Sequence, residues 1–207
     1  MARERDEHIK KFAAEASAVG AILHFAGTKG EIGEVIIRVA NEHNCKKVVL
    51  TCSKIASSAE LAAELARVGM VVNDTNLKSW ITQDKELDTI RAELRQKYIE
   101  ADLGISEATY AIAETGTLII CGNEGNERLT AILPRLHITL IDNENIVPTL
   151  EDAVMLVMDS HGKVPHYITY LTGRNTTGDI PGALTARAQG PEEEHIIIFN
   201  AEIPYKL

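Results

Sequence analysis

Paired cysteines are the first thing this chain lacks. Its 207 residues include three, Cys45, Cys52 and Cys121, widely spaced and with no C-x-x-C pair. Such a set cannot supply the usual thiolates of an iron–sulfur cluster. Three reduced, mostly buried thiols are expected instead. The seven histidines form neither H-x-H nor H-E-x-x-H, so spacing offers no metal site. There is no G-x-S-x-G elbow for a nucleophilic serine. No G-x-G-x-x-G follows the first apolar run, so the usual dinucleotide fingerprint is missing. No apolar stretch approaches the roughly 18 residues that cross a bilayer. The opening M-A-R-E-R-D-E-H-I-K-K has no apolar signal core, which makes a cytosolic location the default expectation. Positive charge is also scarce, with 21 Lys and Arg against 30 Asp and Glu and a net charge of −9. Phosphate-backbone binding rests on Lys and Arg, so a nucleic-acid partner is not expected.

What is present is a rhythm. Ile9, Phe12, Ala13, Ala16 and Val19 recur at helical spacing and predict an amphipathic N-terminal helix, residues 1–16. The remainder, 17–207, reads as one domain long enough for a sizeable core. Ala21 to Phe25 predicts a strand bounded by Gly20 and Gly27, and Thr28-x-x-Glu31 is a capping box for the helix carrying Ile32, Val35, Ile36 and Val39. The unit repeats with the strand Lys47–Thr51 and a second box, Ser57-x-x-Glu60, before Leu61, Leu65 and Val68. Met70–Val72 predicts a further strand. Alternating strand and capped helix points to a mostly parallel sheet flanked by helices. The pattern blurs from Asn73 to Lys85, and Leu87, Ile90, Leu94 and Tyr98 then mark another helix. Ala101–Cys121 reads as strand–turn–strand, and a brief helix with Leu129 and Ile132 is ended by Pro134. Later strands are expected at His137–Ile141, Tyr167–Leu171 and Ile196–Phe199, with Thr149-x-x-Asp152 capping a helix between them.

Four polar clusters sit at strand ends, where groups can converge on a ligand. Gly104–Thr117 places Ser106, Glu107, Thr109, Glu114, Thr115, Gly116 and Thr117 close together. Gly116 suits a tight turn, and Glu114 is a candidate general base or nucleophile, or simply a cap. Thr172–Asp179 contains G-x-x-x-x-G, but Asp179 and Ile180 stand where a phosphate-binding loop has Lys and then Ser or Thr. Thr172, Gly173, Arg174, Thr176 and Asp179 remain candidates for an anion-binding turn, with a surface loop as the plainer reading. Gly190–His195 reads as a solvated acidic turn in which His195 alone faces a site. Arg135, near His137, could pair an anionic substrate or form a surface ion pair.

These clusters resemble a known family. A-I-A-E-T-G-T-L (Ala111 to Leu118), I-V-P-T-L-E-D-A (Ile146 to Ala153), the T-G-x-x-x-T-x-D-I frame from Thr172 to Ile180, and the closing G-P-x-E-x-H-I-I-I look like the LUD domain, the family of lactate-utilisation protein C. The resemblance covers about Ser17 to Asn200. It implies a Rossmann-like sheet with an added β-rich portion, as in the sugar-phosphate isomerase and coenzyme A transferase superfamily. It also implies a role in iron–sulfur-dependent oxidation of L-lactate. No cofactor is expected on this chain, the clusters being held by partner subunits. Relatives carry a Pro-Ser-Arg-Thr-Ala type loop where this chain has Arg174-Asn175-Thr176-Thr177-Gly178, and they do not predict the ending A-E-I-P-Y-K-L.

Two readings result. One is a subunit without metal that binds a small anionic or nucleotide-like ligand, or its iron–sulfur partners, with homo-oligomer formation left open. The other is a stand-alone isomerase or acyl-transfer enzyme using Glu114, with Thr115, Gly116 and Thr117 positioning the substrate.

Overall fold

The computed structural model describes residues 2–51, 54–55, 58–75, 86–122, 126–160, 165–173, 176–180, 183–186 and 190–200. Helix α1 (Ala2–Ala18) precedes β1 (Ile22–Ala26), α2 (Lys29–Glu42), β2 (Lys47–Leu50), α3 (Ser58–Arg67), β3 (Val71–Asp74), α4 (Leu87–Glu100) and β4 (Leu103–Glu107). Then follow β5 (Tyr110–Ile112), β6 (Thr117–Gly122), α5 (Asn126–Ile132), β7 (Leu136–Asp142), a 3-10 turn at Asn143–Asn145, β8 (Ile146–Val147) and α6 (Leu150–Ser160). Strands β9 (Tyr167–Thr172), β10 (Thr176–Ile180), β11 (Ala183–Ala186) and β12 (Glu193–Phe199) complete the order. Cys52, Ser57, Arg174 and most of the unpatterned stretch before Leu87 lie outside the described residues, as does the ending after Asn200.

The capping chemistry read from the sequence is realised at α2. Glu31 N–H donates to Thr28 Oγ1, and Gly27 N–H donates to the Glu31 carboxylate at 2.9 Å. Thr149 and Asp152 exchange the same kind of bonds at the start of α6. Six strands form a parallel sheet in the order β1-β12-β7-β4-β2-β3. Helices α2 and α3 cover one face, where Ile32, Ile36, Val39 and Leu65 pack on Val48, Ile105, Ile138 and Ile197. The opposite face receives α4 through Ile90 and Leu94. It also receives α1, whose Phe12 and Ala16 are fully buried among Ile196, Ile198 and Leu118. Val19, assigned to that apolar stripe, instead lies beyond the helix end and is exposed.

The β-rich addition is a second sheet, β8-β5-β6-β9, with β8 parallel to β5 and the other pairings antiparallel, and a separate hairpin β10-β11. It branches from the carboxyl end of β4, directly after Glu107. Among the described residues no helix is long and apolar enough to cross a membrane.

Candidate functional site

Ligands of open parallel sheets bind at the carboxyl ends of the strands, where neighbouring connections leave in opposite directions. Here that point lies between β2 and β4. The connection after β2 runs to α3 on one face, whereas the chain after β4 enters the second sheet. Glu107 ends β4 at this point, and its Oε2 accepts the backbone N–H groups of Lys54 at 2.6 Å and Ile55 at 3.0 Å. Thr51 beside it is buried and donates to Ile105 O. Glu107 therefore fixes Lys54 and Ile55 after β2, and among the described residues expected from the sequence it stands at this edge.

Ser106 points the other way. Register pairs Ser106 with Thr139, Gly104 with His137, and His137 with Glu194, so these side chains share one face. Ser106 Oγ lies 2.8 Å from His137 Nε2, and His137 Nδ1 lies 2.6 Å from Glu194 Oε2. Thr139 Oγ1 donates to Glu194 Oε1 at 2.7 Å. The order hydroxyl–imidazole–carboxyl is that of an activated nucleophile. Its burial argues for another role, since His137 is 0% and Ser106 1% exposed. α5 lies over it so closely that a Cβ on Gly104 would collide with Thr130 O. The network satisfies buried polar groups rather than meeting substrate. It also corrects the picture of Glu192–Glu194 as a solvated turn, because Glu194 is 3% exposed within β12.

The T-G-T and T-G turns do meet. Thr115 Oγ1 donates to Thr117 Oγ1 at 2.8 Å, and Thr117 and Thr172 are hydroxyl-bonded across β6 and β9 at 2.8 Å. Gly116 and Gly173 both take φ of 63° and both abut the end of α1. A Cβ on Gly116 would stand 2.6 Å from Ala16 Cα, and one on Gly173 2.7 Å from Val19 Cγ2. What these turns receive, in the described structure, is α1. Glu114, the expected base, accepts the Leu150 N–H at 3.0 Å and so complements the amino end of α6. The acyl-transfer reading finds no support in that contact. Thr176 and Asp179 lie on β10, of which the backbone path is described.

His195 lies on the α2 face at the amino edge of the sheet. Its Nδ1 is 3.0 Å from His24 Nε2, and the two rings are nearly coplanar, with a 9° angle between planes. Arg38 reaches His24 Nδ1 at 3.4 Å. Burial, aided by His195 and Arg38, pushes the His24 pKa down to about 4. Burial also lowers His195, against the pull of Glu193. His43, just past α2, and Glu193 complete a cluster absent from the sequence reading. The i, i+2 alternation of Glu193 and His195 on a strand is the one signal that could have found it. Arg135, nearby, pairs with Glu192 at 3.7 Å and donates to His43 O at 3.0 Å.

The described thiols do not form an iron–sulfur ligand set. Cys45 belongs to the core under α2, whereas Cys121 lies on β6 of the second sheet and packs with the cluster shared with α6. Burial raises the pKa of both, Cys45 to about 11.

Comparison with known proteins places this geometry. The chain is 30% identical to lactate utilization protein B of Geobacillus kaustophilus (strain HTA426) and 29% identical to that of Bacillus subtilis (strain 168). Each alignment covers 94% of this chain and 48% of the relative, so the chain spans about half the length of the curated relatives it matches. These relatives are named protein B, whereas the motifs above were compared with protein C; both fall within one LUD family. A DUF162 family protein from Deinococcus radiodurans shares the fold, with TM-score 0.64 at 19% identity over 94% of this chain and 98% of that one. The LUD domain profile matches residues 9–199, from α1 through the last residue of β12, and the chain belongs to the LUD domain family.

Proposed function

We propose that this chain works in L-lactate utilisation, as a LUD unit of an iron–sulfur-dependent oxidation whose clusters lie outside it. The observation that carries this reading is its match, over 94% of its length, to proteins named for lactate utilisation. The separation of the described cysteines supports this reading, since buried Cys45 and partly buried Cys121 pack in different clusters. The chain's own contribution is then recognition. The crevice between β2 and β4 takes a small anionic or nucleotide-like ligand, or receives the iron–sulfur subunits, with Glu107 holding the loop that shapes it.

Deletion of the gene should abolish growth on L-lactate while leaving growth on pyruvate intact. A plasmid copy should restore it, and Glu107→Gln should restore it poorly. Undiminished growth on L-lactate in a deletion strain lacking any paralogue overturns the proposal. Thermal-shift titration with L-lactate, pyruvate, nucleotides and coenzyme A identifies the ligand class, because a ligand that prefers the folded state raises Tm. Co-purification with cysteine-rich partners tests the assignment of the clusters.

A further inference from the structure

We propose that His43, Glu193 and His195 bind one divalent first-row transition-metal ion of the zinc class, with His24 as the outer partner that orients His195. One donor atom from each of the three residues lies within 4.8 Å of the others. His43 Nε2 stands 3.4 Å and His195 Nε2 3.3 Å from the same carboxylate oxygen, Glu193 Oε2. Those separations are long for hydrogen bonds to a carboxylate, which cluster near ~2.8 Å. They match the roughly 3.3 Å between donors that each sit ~2.05 Å from a tetrahedral zinc ion. The rings of His43 and His195 are edge-on at 77°, so two imidazoles approach one point from different planes. Two nitrogens and one carboxylate oxygen are a ligand set that zinc accepts with a fourth position left for water or an anion. His43 and Glu193 are partly exposed, which gives an ion a route in.

The elements explain why the set converges. Glu193 and His195 are two apart on β12 and share a face. His43 is delivered at the end of α2, where Asn44 turns the chain with φ of 54° and Cys45 N–H closes on Ala40 O. His24, on the neighbouring strand β1, meets the second nitrogen of His195. Metal-binding histidines commonly direct their free N–H to such a partner.

The same hydrogen-bond line adds a specific expectation. A metal on His195 Nε2 leaves the proton on Nδ1, facing His24 Nε2. His24 then carries its own proton on Nδ1, opposite the Arg38 guanidinium, and two donors face each other. The exposed Arg38 must swing aside, so its removal should favour the ion. This site lies at the amino edge of the sheet, opposite the crevice considered above, and does not rest on the lactate reading.

The test uses tag-free full chain, stripped with a chelator and titrated with Zn2+ against a chromophoric competitor, with Co2+ as the spectroscopic probe. One equivalent should bind at micromolar or tighter affinity, and Co2+ should develop tetrahedral visible bands. The rim variants His43→Ala and Glu193→Gln should each lose at least ~10-fold in affinity while keeping wild-type circular dichroism and Tm. His24→Ala should lose about 10-fold, and Arg38→Ala should gain affinity. Absence of saturable one-to-one binding overturns the proposal. So does unchanged binding in the His43→Ala, Glu193→Gln double variant, which would mark an adventitious ion only.

Discussion

Glu192, Glu193 and Glu194 show how little a residue's type says about its place. Glu192 pairs with Arg135 at the surface, Glu193 faces two histidines at the α2 edge, and Glu194 is buried against His137 and Thr139. Strand alternation produces the last two fates, since neighbouring residues on β12 point to opposite faces. Truncating one member of a buried polar pair leaves the other desolvated and unpaired, at about 3 kcal/mol. Exposed ion pairs contribute roughly 0.2–1 kcal/mol. His137→Ala and Glu194→Ala should therefore each lower urea-unfolding stability by about 3 kcal/mol, and Glu192→Ala by under ~1 kcal/mol. Equal effects at Glu192 and Glu194 would contradict the buried network. The network was not legible in the sequence because its partner, His137, is 57 residues from Glu194, and charge runs ordinarily face water.

Gly116 lets the end of α1 pack closely on the second sheet, and substitution there, set against Gly69 in the turn before β3, isolates that contact. Gly116 has φ of 63° and no room for a side chain against Ala16, whereas Gly69 has φ of 87° with nothing near its missing Cβ. Alanine at Gly69 meets only the left-handed backbone penalty, roughly 1 kcal/mol. Alanine at Gly116 adds a collision with α1, for a total of about 2–4 kcal/mol. Chemical denaturation of both variants gives the comparison, and equal losses would refute the α1 contact. Local signals of this kind were readable: the boxes at Thr28 and Thr149 form as spelled, and Pro134 follows the short helix α5. Glu114 was the ambiguous case. Its sequence context allows a base or a cap, and the bond from Leu150 N–H shows the capping contact.

At the scale of the whole molecule, net charge −9 sets long-range behaviour. The chain should pass a heparin column unretained at about 0.15 M salt, because polyanion binding requires clustered Lys and Arg. Retention would reveal a basic face that the net charge conceals. Fold class was legible in the alternation of strands and capped helices; strand order was not. Hydrophobic periodicity records which residues are buried, not that β12 inserts between β1 and β7. That insertion governs how the protein is born. β1 has β12 as its hydrogen-bonded neighbour in the sheet, and His24 and His195 on those strands are 171 residues apart. At ~5–20 residues per second on the ribosome, β1 waits about 10–30 s for that neighbour. Throughout that interval the backbone edge of β1 is open to chaperones and to neighbouring nascent chains.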